Sequence, residues 1–300
     1  MLAKEIRIAG NLLRDKDNKI ACLHFGGGSP TILATNDFEY LISVIKDEFT
    51  ISSDTEIAIE VDPRNVNEEK IASYAKAGIN RVSIGVQDFS HDVQLAVNRE
   101  QSFDLVYNCV RLFRKYGINN INLDLIYGLP KQTIEGIKKN IDYSMLLKPD
   151  RIALFAYAHV KWMKRQMQLI NEEDLPDEAA RVIMYKVAAE KLRQENYVAI
   201  GLDHFAKNDD PMTLALKSRR LKRNFQGYST DNANSTIGFG ISAISHLQFG
   251  YAQNTLDFEQ YKNNILTSKF ATAKGIYTGD DEILRKKIID EIMCYTISNL

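Results

Sequence analysis

From residue 20 onward, short β-rich apolar runs alternate with longer stretches in which apolar residues recur every three or four positions. This is the arrangement expected of repeated βα units around a parallel sheet. Five strands are predicted, at 20–25 (IACLHF), 56–61 (EIAIEV), 81–86 (RVSIGV), 120–127 (NINLDLIY) and 151–157 (RIALFAY). Their apolar–polar alternation is weak, which suits strands covered on both faces. Asn36 is expected to cap a helix carrying Phe38, Leu41, Ile42, Ile45 and Phe49, with Glu39 three residues on. Asn67 and Ser102 open the next two helices, which end at Gly78 and Gly117, and Thr133 opens a fourth that stops before Pro149. A long helix from Asp177 to about Glu195, a strand at 197–206 (YVAIGLDHFA) and a loop-rich stretch at 223–245 follow.

The fold class read from this order is α/β: a partial, incomplete TIM-like βα barrel of parallel strands with covering helices over residues 1–250, then the start of a truncated C-terminal helical domain over 251–300. Both ends read as cut. Leu2, Ile6, Ala9 and Leu13 form the stripe of a helix with no strand before it, and residues 283–300 form an apolar-faced helix with nothing after it.

Composition narrows the function classes. The 300 residues are 45% apolar and 26% charged, enough to bury a core. With 38 Lys and Arg against 39 Asp and Glu, the net charge of -1 gives no electrostatic case for nucleic acid or an anionic membrane as partner. No apolar run reaches the ~18 residues of a membrane span, and the charged opening residues do not make a signal peptide, so a cytoplasmic monomer is expected. Cys22, Cys109 and Cys294 are odd in number, far apart and in apolar settings, which reads as buried thiols in a reducing compartment.

In parallel barrels the functional residues gather at the carboxyl ends of the strands. Here those ends carry Gly26, Gly27, Gly28, Ser29 and Pro30, then Glu60 and Asp62, Gln87 and Asp88, Asp124 and Gly128, and His159. A glycine run exposes backbone amides to a small anionic or amino-acid ligand, or simply makes a tight turn. Glu60 suits an ammonium or a ribose, or pairing with a nearby Lys or Arg. Asp124 lies inside an apolar strand and must find partners, since an unpaired buried charge is strongly disfavoured.

At these positions the sequence resembles the oxygen-independent coproporphyrinogen III oxidases of the radical S-adenosylmethionine superfamily. The motifs are LHFGGGSPT (23–31), IEVDPR, GVQDF, VNREQ, NLDLIYGLPKQT, FAYAH, GLDHFA, RNFQGY, GISAIS and YAQN, in the family's order. GVQDF and NFQGY also separate the chain from the heme-chaperone-like relatives. The resemblance implies that Gly27 and Glu60 contact a first S-adenosylmethionine, and that Gly28, Ser29, Gln87, Arg99, Asp124, Ala158 and Ile244 contact a second. It implies a 4Fe-4S cluster whose reduction of S-adenosylmethionine yields a deoxyadenosyl radical. That radical takes hydrogen from a propionate of coproporphyrinogen III, and loss of carbon dioxide and an electron leaves the vinyl groups of protoporphyrinogen IX in heme biosynthesis. An electron donor and an acceptor are implied as partners. The family's CxxxCxxC cluster motif is absent from this sequence, so no metal ligand is assigned and the chain as given is expected to be inactive. A longer reading frame is expected to carry the cysteine loop upstream of Met1.

Two other readings compete. A metal-dependent barrel hydrolase would use His24, Glu60, Asp124, His159, Asp203 and His204, although no HxH or HExxH spacing occurs. A heme or porphyrin carrier would draw on His24, His91, His159, His204 or His246. Tyr157, Phe155, Phe205, Phe225 and Tyr228 are candidates to line a tetrapyrrole pocket, with plain packing as the alternative.

Overall fold

The computed structural model describes residues 1–13, 18–163, 165–224 and 227–295. The helix α1 (Leu2–Leu13) leads into the strand β1 (Lys19–Phe25), followed by α2 (Thr35–Glu48), β2 (Thr50–Val61), α3 (Glu68–Ala77) and β3 (Arg81–Gln87). Then come α4 (His91–Ala96), α5 (Phe103–Lys115), β4 (Asn120–Tyr127), α6 (Ile134–Leu147), β5 (Arg151–Ala156) and α7 (Glu178–Gln194). The remainder holds β6 (Tyr197–Ile200), β7 (His204–Lys207), α8 (Pro211–Lys217), β8 (Lys222–Asn224) and β9 (Gly227–Ser229). It ends with β10 (Ile244–Leu247), β11 (Gly250–Asn254), α9 (Phe258–Leu266), β12 (Thr272–Tyr277) and α10 (Asp280–Met293).

Among the described residues β1 to β7 form one sheet in the order β1-β2-β3-β4-β5-β7-β6. The first five strands are parallel, and the two edge strands β1 and β6 do not pair, so the barrel stays open. The side-chain oxygens of Asn67, Ser102, Thr133 and Asp177 accept backbone N–H groups at the starts of α3, α5, α6 and α7, as their chemistry predicts. Asn36 does not cap: α2 already begins at Thr35, and the cap position is Ala34, which has no oxygen to offer. The predicted strand at 197–206 is two strands. Gly201, with φ of +57°, reverses the chain, so β7 runs antiparallel to both β6 and β5.

Register sorts the strand residues onto two faces of different chemistry. Ile57, Ile59, Val61, Val82, Ile84, Ile121, Leu123, Leu125, Ile152 and Leu154 share one face and pack against buried residues of α2, α3, α5, α6 and α7. The alternate positions, His24, Glu60, Ser83, Asn122, Asp124 and His204, share the other, inner face. Nearer the amino ends of the strands, that inner face is occupied by ion pairs, Arg81 with Glu56 at 2.8 Å and Arg151 with Asp210 at 2.9 Å.

Among the described residues, those after 250 carry helices α9 and α10 and also β12, which with β10 and β11 makes a three-stranded antiparallel sheet. The boundary expected near residue 250 falls inside the β10–β11 hairpin, whose strands pair from Ile244 with Gln253 to Leu247 with Gly250. Glu5 of α1 ties this region to the barrel. Its buried carboxylate accepts from Gly240 N–H at 2.8 Å, Asn254 Nδ2 at 2.7 Å and the Tyr261 hydroxyl at 2.8 Å. Glu5→Ala strands three donors, and is expected to lower the unfolding free energy by about 3 kcal/mol. Urea denaturation measures this, and an unshifted midpoint would mean that the clamp contributes nothing.

Candidate active site

The glycine run after β1 is shaped by what faces it. A Cβ on Gly26 would lie 2.6 Å from His24 Nε2 and 2.7 Å from Glu60 Oε1, so only glycine lets those two side chains approach. Gly27 and Gly28 have φ of +82° and +138°, are exposed, and would carry a Cβ into open space. The turn therefore presents bare backbone at the carboxyl end of β1. Ser29 follows, its hydroxyl 3.3 Å from that of Thr31 and 3.4 Å from Asn65 Nδ2.

Glu60 finds a partner, but not a Lys or Arg: His24 Nε2 lies 3.2 Å from its carboxylate, whose side chain stays 41% exposed. A carboxylate held by a neutral-capable ring, with open space beside it, keeps acceptor capacity for a ligand. Two strands away, Asp124 accepts the Ser83 hydroxyl at 2.9 Å and Asn122 Nδ2 at 2.7 Å. Burial pushes its pKa up to about 6 against the pull of these hydrogen bonds and of His204, while Glu60 adds to the rise. Ser83 and Asn122 carried no signal of their own in the sequence. Only register, which places Glu60 opposite Ser83 and Ser83 opposite Asn122, reveals them as neighbours.

Gln87 joins this group from the end of β3, and Arg99 from the loop between α4 and α5. A bulge shifts the β3–β4 register after Gly85, and Gln87 takes φ of +65°, which brings its amide nitrogen to 2.9 Å from where a Gly85 Cβ would be. The guanidinium of Arg99 stands 3.1 Å from the same point, donates to the Gly85 carbonyl at 3.0 Å and lies 3.3 Å from Asp62. Asp62 is partly desolvated, yet hydrogen bonds from Arg64 and the charge of Arg99 hold its carboxyl below the usual range.

Other sequence candidates lie elsewhere. Asp88 is not a free ligand: it is 1% exposed and saturated by Ser90 N–H, Gln132 Nε2 and Asn140 Nδ2, each at 2.6 Å. Gly128 faces Arg181 of α7. His159 contacts Tyr157 and Glu172 on the loop after β5. Ala158 is exposed on that loop and Ile244 opens β10 on the second sheet, and neither takes part in the hydrogen bonds that join the others. Phe205 and Tyr157 are core residues, and Phe225 lies outside the described residues. Phe155, 38% exposed, and Tyr228 meet His204 edge-on at the sheet's far edge, where Asp203 holds the ring at 2.7 Å.

The six hydrolase candidates separate into the pairs His24–Glu60 and Asp203–His204, with His159 turned to Glu172 outside the set and Asp124 apart, and among the described residues no group of three could hold a metal ion. As for a carrier, His91 is exposed at the start of α4 and His246 stacks on Tyr251 at 4.7 Å, both away from the inner face. No helix among the described residues is long and apolar enough to cross a membrane.

An open barrel of parallel strands whose inner face gathers a glycine turn, carboxylates and an arginine defines a class, and comparison agrees: residues 3–143 match the model of the radical SAM superfamily. A coproporphyrinogen III oxidase from Escherichia coli, described as a radical SAM enzyme, superposes with a TM-score of 0.94 at 35% identity, covering 98% of this chain and 67% of that one. The chain is 45% identical over 276 residues to the oxygen-independent coproporphyrinogen III oxidase of Bradyrhizobium diazoefficiens, covering 92% of this chain and 61% of the relative. It is 39% identical over 293 residues to that of Helicobacter pylori strain J99, covering 97% and 64%. The chain belongs to the family of oxygen-independent coproporphyrinogen III oxidases, and spans about three-fifths of the length of the curated relatives it matches.

The thiols present do not fit the cluster that the superfamily implies. Cys22 is on β1, Cys109 is buried on α5 against the apolar core, and Cys294 is buried just after α10. Burial pushes the first two up to about 12, where the thiolate that iron requires is scarce. Carboxyl titration by carbon-13 NMR is expected to find Asp124 near its raised value of about 6, and Ser83→Ala, which removes a hydrogen bond that favours the anion, is expected to raise it further. A lowered value in that variant would contradict the assignment.

Proposed function

We propose that this chain is the S-adenosylmethionine- and substrate-binding core of an oxygen-independent coproporphyrinogen III oxidase, which converts two propionates of coproporphyrinogen III into the vinyl groups of protoporphyrinogen IX. The observation that carries it is the shared inner face: open glycine backbone, Glu60, Asp124 and Arg99 converge there from four segments, with acceptors and a cation suited to an amino acid and a ribose. Gly27 and Glu60 would hold the amino-acid end of one S-adenosylmethionine. Gly28, Ser29, Gln87, Arg99 and Asp124 would hold a second, with Arg99 facing its carboxylate, Asp124 an ammonium or hydroxyl, and Ala158 and Ile244 shaping the pocket.

Bound S-adenosylmethionine supplies the hydrogen-abstracting power of the reaction. What the chain's own residues contribute is orientation: a fixed backbone turn at one end of the face and, further along it, Asp124 braced by Ser83 and Asn122 and Arg99 braced by Asp62. The electron donor and acceptor are external partners in this reading. Because the cluster ligands are not in this sequence, the chain by itself is expected to bind S-adenosylmethionine but not to cleave it.

Isothermal titration tests the proposal. Glu60→Gln and Asp124→Asn are each expected to weaken S-adenosylmethionine binding by about tenfold, equivalent to ~1.4 kcal/mol. Asp124 offers an ammonium a negative charge only when ionised, so wild-type affinity is expected to fall as the pH drops through about 6, and Asp124→Asn to lose that dependence. No binding by the wild-type chain, or an unchanged pH profile in Asp124→Asn, would refute the reading.

A further inference from the structure

Left-handed backbone stands at or beside two residues of the site. Gln87 itself has φ of +65°, and Asn98, immediately before Arg99, has φ of +51°. A side chain in this region meets a steric cost that its surroundings must offset, smaller for Asn than for Gln. Those surroundings are five buried polar side chains, Asp88, Gln94, Gln101, Gln132 and Asn140, each 5% exposed or less.

Their bonds bracket both left-handed positions. Gln101 Nε2 donates to the Gly85 carbonyl at 3.1 Å and also to that of Val86, the two peptides just before the bend at Gln87. Gln94 accepts Gln101 N–H at 3.0 Å and donates from its own amide to the carbonyls of Asp88 at 2.9 Å and Gln101 at 2.7 Å. On the other side of the bend, Asp88 receives Gln132 and Asn140, and Gln132 in turn receives Gly128 N–H at 2.6 Å, which joins the ends of β3 and β4. Among these five side chains only Gln101 Oε1 is left without a partner, while both Gln101 amide hydrogens and all the other groups named above are engaged, so the bonds at Gly85 and Val86 favour one geometry.

Resting on the function proposed above, we propose that this network, with Gln101 at its centre, is the positioning device of the cofactor site: it fixes the bend at Gln87 and the loop at 98–101 so that the Gln87 amide and the Arg99 guanidinium enter the inner face beside Asp124. These are positioning residues. They touch no ligand and act through Gln87 and Arg99.

The test compares wild type with Gln101→Met, which keeps the volume and removes both donors. Crystal structures give the geometry, and titration gives affinities for S-adenosylmethionine and for its decarboxylated analogue, which lacks the group that Arg99 would meet. The variant is expected to lose the positive φ at Gln87 and the Arg99–Gly85 bond, and its preference for the carboxylate-bearing ligand is expected to fall by about tenfold. A protein merely loosened would lose both ligands alike. If Gln101→Met does not fold, Gln94→Met, which unbraces Gln101 without removing it, is expected to shift geometry and preference in the same direction. Retention of the wild-type geometry, or a shifted geometry with the ligand preference intact, overturns the inference. Failure of the wild-type chain to bind either ligand instead rejects the functional reading, and the crystal structures then decide the geometric claim alone.

Discussion

The structure depends on a sheet whose two faces differ in chemistry, one apolar and one largely polar. On the outer face, isoleucines, leucines and valines from β2 to β5 are sealed under helices, and this burial is the main favourable term in the fold. Because side chains alternate strictly along a strand, the same strands must aim every other residue inward, away from these helices. Inward positions are therefore free to be polar, provided each finds a partner. Lower in the barrel the partners are ion pairs, Glu56–Arg81 and Arg151–Asp210; towards the carboxyl ends they are Glu60–His24 and Asp124 with Ser83 and Asn122. Stability and candidate chemistry thus come from the same alternation, read on opposite sides.

Where the strands stop, regular geometry no longer aims the side chains, and local devices take over. Glycine serves at the end of β1, where Gly26 yields to His24 and Glu60 and the next two residues adopt positive φ. At the end of β3 the chain instead uses glutamine in a conformation that glycine would accept more readily, and holds it with buried amides and Asp88. The choice makes physical sense if the side chain at 87 is needed in the cleft, since glycine would relieve the bend and remove the amide. The second sheet is joined to the barrel by a different buried polar group, Glu5, which accepts from Gly240, Asn254 and Tyr261.

Much of this was legible in the sequence, for reasons that differ by element. The caps at Asn67, Ser102, Thr133 and Asp177 are local chemistry and could be read directly, whereas Asn36 misled because a helix can begin on Thr35 with no capping oxygen before it. The segment at 197–206 reads as one strand because hydrophobic pattern does not record a reversal, and only the left-handed Gly201 marks it. The strand-end positions of Glu60, Gln87 and Asp124 followed from βα order alone. Their partners Ser83 and Asn122 did not, because contact between strands depends on register. Asp88 carried the same signal as Gln87 yet turned inward to a buried network, a distinction set by the bulge after Gly85. Arg99, Ala158 and Ile244 were reachable only through family resemblance.

The claim on which the account turns is that the polar inner face is the ligand site. Its most direct test is a crystal structure of the chain soaked with S-adenosylmethionine. The account predicts ligand density on the inner face between the Gly27 turn and Asp124. Density instead in the cleft of about 620 Å³ at the amino-terminal ends of the strands, lined by Lys46, Thr50, Ala77 and Asn80, with the inner face empty, would contradict it.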